Sequence, residues 1–169
     1  MKRIIAIAFA MLFATLHMNA QKVGYIDTEK ILSAIPAYRS AQSQLESLSR
    51  QYQDEIEREY AKIETLYNNY QAQKMNMSAQ ARQMKENEII QKEKAVKELQ
   101  QRYFGQNGNM QGKSEQLLNP IKERVEAAIR TLAQSEHYII VFDVAAMQGV
   151  AYKDAAYDLS SKVIRYLGY

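Results

Sequence analysis

His137 beside Glu136 is the pairing in this sequence that could begin acid–base chemistry, an imidazole next to a carboxylate. A catalytic reading also needs a nucleophile. Cysteine is absent from the chain, and no serine motif accompanies the histidine. An isolated histidine at the entrance to a strand reads as structural. The carboxylate pairs Asp54 with Glu55 and Glu57 with Glu59 fall on the solvated face of a long helix. The run "GQNGNMQG" neither follows a strand nor opens a helix, which is the setting a phosphate cradle requires. The residues therefore point away from an enzyme, and they call for no cofactor and no metal.

Contact chemistry has more to work with. In "QKMNMSAQARQMK" the cations Lys74, Arg82 and Lys85 have no acid between them and alternate with Met75, Met77 and Met84. Methionine adapts to irregular apolar partners, and interspersed cations can approach lipid headgroups or acidic chain segments. A solvated turn with incidental methionines is the other reading of the same residues. A second candidate is a run rich in tyrosine, whose ring is apolar and whose tip forms hydrogen bonds. It could be a binding stripe, but its helical spacing favours packing between two helices, above all for Leu45, Leu48, Ile56 and Ile63.

The elements that must carry these residues follow from periodicity. Tyr38, Ala41, Leu45, Leu48, Tyr52, Ile56, Tyr60, Ile63, Tyr67 and Tyr70 recur at steps of three and four, which makes one narrow seam on one long helix. Three consecutive fours between Leu48 and Tyr60 form a stutter, which relaxes supercoiling locally. The seam lapses after Tyr70, and Ser78 can cap a returning helix that bears Met84, Ile89, Val96, Leu99 and Tyr103. Gly105, Gly108 and Gly112 should bend or fray that return. The pattern then resumes with Leu117, Ile121, Val125, Ala128, Ile129 and Leu132, and Asn119–Pro120 can either kink a continuous helix or cap a fresh one.

Sheet-like sequence flanks this helical region. "KVGYID" predicts a strand at Val23 to Ile26, with Asp27 or Thr28 capping a short helix that ends before Pro36. "HYIIVFD" predicts a buried strand and "VAYKD" a second one, after which Asp158 or Ser160 caps a last helix. The expected organisation is a leader at residues 1–20, an α+β body from 21–37 and 136–169, and a helical hairpin inserted at 38–135 with its tip near 74–80. Three short strands and two short helices make a thin core, which points to closure by self-association. The residues expected at that association are Val23, Tyr25, Ile26, Ile139, Ile140, Val141, Phe142, Val150 and Tyr152.

Lys2 and Arg3 ahead of an apolar run from Ile4 to Leu16, with Ala20 at a plausible cut, read as a signal peptide for export. The whole chain has 22 Lys and Arg against 19 Asp and Glu. Loss of Lys2 and Arg3 leaves 20 against the same 19, a net charge of +1. Near-neutrality argues against nucleic acid as a ligand.

The segment "VGYIDTEKIL", the long polar hairpin, and "YIIVFD" with "GVAYKDAAYDLSSKVI" together resemble the Skp/OmpH family of periplasmic chaperones over nearly the whole exported chain. The resemblance implies a homotrimer whose strands assemble into a joint body, with helical arms around a cavity. It implies a periplasmic protein that holds unfolded outer-membrane β-barrel proteins without ATP. Weak contact with anionic membrane is a further expectation, weakened by the charge of only +1. An exported coiled-coil structural or adaptor protein is the competing expectation.

Overall fold

A computed structural model describes residues 22–169. The expected leader, Met1 to Ala20, lies outside the described residues. The chain divides into two compact units, one formed by the described residues up to Ile31 together with Ala127–Tyr169, the other by Leu32–Glu126.

In the first unit β1 (Lys22–Ile26) pairs in parallel with β2 (Tyr138–Asp143). Val23 stands opposite Ile140, Tyr25 opposite Phe142 and Ile26 opposite Asp143. Parallel neighbours need a long crossover, and all the helices between β1 and β2 supply it. The buried apolar side chains of this unit include Ile26, Ile31, Ala128, Leu159, Val163 and Leu167. Gly24 is where backbone and core approach most closely: a methyl group there would lie 2.8 Å from Leu159 Cδ1 and 3.0 Å from the Tyr138 ring.

Polar bonds fix the strand ends. The Asp27 carboxylate accepts the Lys30 N–H at 3.0 Å and so caps α1 (Thr28–Ala34). The Thr28 hydroxyl and N–H both donate to Asp143, at 2.7 and 3.2 Å, tying the end of β2 to the start of α1. The Asp27 N–H donates to the fully buried Ser160 hydroxyl at 2.9 Å. Asp158 accepts the Ser160 N–H at 2.8 Å, ahead of α5 (Ser160–Tyr166). Neither expected cap occupies the N-cap position, which is Leu159 without a side-chain cap bond: Asp158 holds the Ser160 N–H from one residue further out, and the Ser160 hydroxyl accepts from the Asp27 N–H just after β1.

The expected second C-terminal strand does not form. Val150–Asp154 carries no regular structure, and the sheet has two strands. The physical reason is the route of the chain. Gly149, at φ 83, lies in the connection before it, and among the described residues the free side of β1 is met by a single bridge from Tyr25 to Asp158, with the Leu159 N–H donating to the Tyr25 carbonyl at 2.8 Å. The expectation that β2 is buried is also corrected for the single chain, because Ile139, Ile140 and Phe142 are exposed.

The second unit is dominated by a helical hairpin. Ile35 is extended, as a residue before proline should be, and Pro36 opens α2 (Pro36–Gln73). At 38 residues this helix is about 57 Å long. A short 3₁₀ turn (Lys74–Asn76) reverses the chain, and the Ser78 hydroxyl accepts the Ala81 N–H at 3.2 Å to start α3 (Ala79–Phe104). The buried seam is Ile56, Ile63 and Tyr70 against Ile89 and Val96, with Leu66, Met77, Leu99 and Tyr103 packed on it. These buried residues recur at steps of seven, the coiled-coil interval.

Helix α3 ends at Gly105, and the chain turns through Asn107 at φ 62 into α4 (Asn109–Ser135). Gly112 and Pro120 both lie inside α4, which runs on without a break. The glycine cluster thus interrupts the return once, before Asn109, and the proline starts no new helix.

Candidate functional site

The residues with contact chemistry fall on three surfaces, each within one unit. The first is the face of the small sheet. Val23 is 40% exposed, Ile139 60%, Ile140 44%, Phe142 41%, Val150 40% and Tyr152 83%. Tyr25 and Val141 are partly buried, and Ile26 is buried as a core residue. An open hollow of about 380 Å³ brings Val23, Tyr25, Phe142, Val150 and Tyr152 together, with Val144, Met147 and Tyr157 beside them. Ile139 and Ile140 do not line it. The Lys153 ammonium stands 5.6 Å from the Tyr25 ring centre, at cation–π range.

Asp158 sits at the edge of this face. Burial raises its pKa, but hydrogen bonds from the Ser160 hydroxyl and N–H, and from Lys30, outweigh that and hold the carboxyl below its ordinary value. Tyr25 is raised, first by burial and then by the charges of Asp158 and Asp154. The face is therefore apolar, with its polar groups committed to local bonds.

The second surface is the tip of the hairpin. Met75 is 92% exposed and Met84 66%. Met77 differs from both, since it packs against the hairpin seam. Lys74 lies 5.5 Å from the Tyr70 ring centre, and Lys85 pairs with Glu88 at 2.8 Å. Arg82 is exposed. Two of the three expected cations thus have partners on the hairpin.

The third surface runs along the hairpin beside its seam, and the periodicity alone did not separate it from the seam. Tyr60 and Tyr67 share the helical spacing of Ile56 and Ile63, yet they remain exposed and line an open groove with Glu57 and Glu64 of α2 and Glu93 of α3. The seam residues recur every seven positions, and these tyrosines recur every seven beside them. That double register was the available signal. The tyrosines that do pack across the hairpin are held by carboxylates: Tyr70 donates to Glu86, and Tyr103 donates to Glu55 at 2.8 Å.

His137 lies in the turn between α4 and β2 at φ 60, where its N–H donates to the Gln134 carbonyl at 3.2 Å. Left-handed geometry is uncommon outside glycine, and histidine is among the residues that tolerate it better. Among the described residues no group of three His, Cys, Asp or Glu side chains could hold a metal ion. Among the same residues no helix is long and apolar enough to cross a membrane.

No curated protein matches this chain significantly by sequence. The fold has solved counterparts. One is a crystal structure described as a candidate outer-membrane chaperone (OmpH-like) from Caulobacter crescentus CB15, 14% identical in sequence, with a TM-score of 0.68 over 86% of this chain and 82% of that one. At that identity the likeness concerns the fold. A family model described as outer membrane protein (OmpH-like) matches residues 22–167. The match spans both strands, the complete hairpin and the last helix, and the chain belongs to the OmpH-like outer membrane protein family.

Proposed function

We propose that this protein is a periplasmic holding chaperone that works without ATP and keeps unfolded outer-membrane β-barrel proteins from aggregating. The observation that carries the reading is the hairpin, whose buried seam is narrow and whose exposed surface retains large apolar side chains at Tyr60, Tyr67, Met75, Met84 and Ile90. Scattered apolar contacts of this kind bind weakly and at many points. Such binding shields the unpaired strand edges of a client without trapping it in one conformation. Family membership and the OmpH-like neighbour described as a candidate chaperone support the same reading.

In this reading three copies associate through the sheet faces, where Val23, Ile139, Ile140, Phe142 and Val150 are exposed. Two-stranded sheets are marginal alone, and neighbouring chains would supply the missing strands. The tip residues Lys74, Met75, Arg82, Met84 and Lys85 would touch clients or, weakly, anionic membrane, whereas Met77 is taken up by the hairpin seam. A coiled-coil spacer is disfavoured by the break at Gly105, because a rigid rod needs a continuous seam.

The test dilutes a urea-unfolded outer-membrane β-barrel into buffer with the purified protein and follows turbidity without nucleotide. Suppression at near-equal molar ratios is expected, with light scattering giving the mass of three chains. Unchanged turbidity would overturn the chaperone reading.

A further inference from the structure

The groove beside the hairpin seam encloses about 580 Å³ of open space between α2 and α3. Glu57, Tyr60, Glu64 and Tyr67 share one face of α2, following each other at steps of three, four and three, and Glu93 faces them from α3. Tyr60 is 43% exposed and Tyr67 49%, and neither stacks on another ring among the described residues. Glu57, Glu64 and Glu93 are exposed and form no ion pair among those residues. The nearby Lys62 is already engaged by Glu59. Two open aromatic faces flanked by three uncompensated carboxylates are complementary to cations, which ring quadrupoles and carboxylates both attract.

Spacing narrows the ligand further. Seven residues separate the tyrosines, which places them about 10.5 Å apart along α2. A polyproline II segment advances about 9.3 Å in three residues and returns its side chains to the same face at that interval. Same-face residues of a β-strand fall at about 6.7 or 13.4 Å instead. Polyproline II is also a major conformer of unfolded chains.

We propose that this groove binds unfolded chain segments carrying Arg or Lys at positions i and i+3, one cation over each tyrosine and held from the sides by Glu57, Glu64 and Glu93. The inference rests on the holding function for its biological use and specifies the chemistry of the segments gripped there. It places cation recognition on the arms, apart from the basic tip.

The test is fluorescence anisotropy with short labelled peptides rich in Pro and Ser, bearing either two Arg or two Glu three residues apart. The purified protein should bind the Arg peptide about tenfold tighter at 0.01 M salt, where screening acts only beyond about 30 Å. Moving the second Arg to i+2 should weaken binding. The combined variants Glu57→Gln, Glu64→Gln, Glu93→Gln and, separately, Tyr60→Leu with Tyr67→Leu should each lose the preference while keeping helicity, since all five side chains are exposed. Equal affinity of the parent for the Arg and Glu peptides overturns the proposal, and that comparison needs no variant. Retention of the preference by either variant overturns it too, and equal binding of the i+2 peptide overturns the polyproline register. Suppression of aggregation without charge preference would sink the groove alone, whereas charge preference without suppression would sink the holding function and leave the groove standing.

Discussion

The rings of Tyr52 and Tyr103 stack across the hairpin with centroids 3.8 Å apart and planes within 6° of parallel. Phe104 meets Tyr52 edge-on at 6.2 Å, and the Tyr103 hydroxyl reaches Glu55. This aromatic clasp sits in the last turn of α3, one residue before the helix stops at Gly105. It holds the two arms together where the backbone of one of them is about to bend, so the bend is confined to the residues beyond it.

Tyr103→Phe keeps the stack and removes only the bond to Glu55, and it should cost about 1 kcal/mol. Tyr103→Leu also removes the stacking, for about 2 kcal/mol in all. Both are measured as lowered melting temperatures by circular dichroism. Hydrogen bonding to Glu86 and Glu55, then burial, raises the pKa of Tyr70 and Tyr103 in the fold. A raised value means that this stability is complete below the unfolded value of about 10 and is lost as pH rises through the folded one. Melting temperature should therefore fall above pH 10, and less steeply in Tyr70→Phe with Tyr103→Phe. Equal slopes would show that these bonds contribute nothing to the hairpin.

Asp158 predicts the opposite limb. Its folded pKa is depressed by Ser160 and Lys30 against the effect of burial. Its contribution is thus present above the unfolded value of about 3.9 and lost as pH falls through the folded value. Asp158→Asn should lower the melting temperature at neutral pH and narrow its gap to the parent below pH 4. A constant gap across that range would mean that the Asp158 charge plays no part.

Much of this fold was legible because its signals are local. Pro36 and Gly105 mark helix boundaries through their own backbone chemistry and Ser78 through its hydroxyl, and each lies at a boundary. The strand expected at Val150–Asp154 failed because β-branched and aromatic residues report a tendency to pair without supplying a partner. The exposed tyrosines were hidden for a related reason. Steps of three and four place Tyr60 beside Ile63 on one stripe, and only the position of the opposite helix decides which side of the stripe is covered. Met77 and Met75, two residues apart at the turn, likewise differ through tertiary packing alone.

The sheet face yields a separable pair of variants. Ile140 is 44% exposed in the single chain, while Val163 is fully buried. If three copies assemble through this face as proposed, Ile140→Lys should reduce the mass from three chains to one by light scattering and leave most of the helicity intact. Val163→Ala should cost about 2 kcal/mol through lost burial and a cavity without changing the assembly. A trimeric Ile140→Lys would exclude β2 from the interface.

The glycines of the return arm should respond in opposite directions. Nothing lies within 4 Å of a methyl group placed on Gly112 inside α4, so Gly112→Ala should stabilise by about 1 kcal/mol. At Gly105 the same methyl would lie 2.3 Å from the Gln101 carbonyl oxygen, and Gly105→Ala should destabilise by about 1–3 kcal/mol as the turn shifts. Thermal unfolding of the two variants decides the matter, and stabilisation by both would show that the stop at Gly105 is not enforced by close packing.

The tip separates apolar from charged contact once Met77 is left untouched, because that residue supports the seam. Met75→Ser with Met84→Ser removes exposed apolar surface, and Lys74→Gln, Arg82→Gln and Lys85→Gln together remove the cations. If clients are gripped by apolar contact, the first variant should bind an unfolded β-barrel several-fold more weakly at every salt concentration. If charge recruits clients or anionic vesicles, the second should lose binding chiefly at low salt, where the Debye length is about 30 Å at 0.01 M against about 10 Å at 0.1 M. Lys85 is paired with Glu88 and Lys74 lies over Tyr70, while Arg82 is exposed without an ion pair among the described residues, so Arg82→Gln should account for a larger part of any salt-dependent loss than Lys85→Gln. Parent-like binding by both combined variants would restrict client contact to the length of the arms.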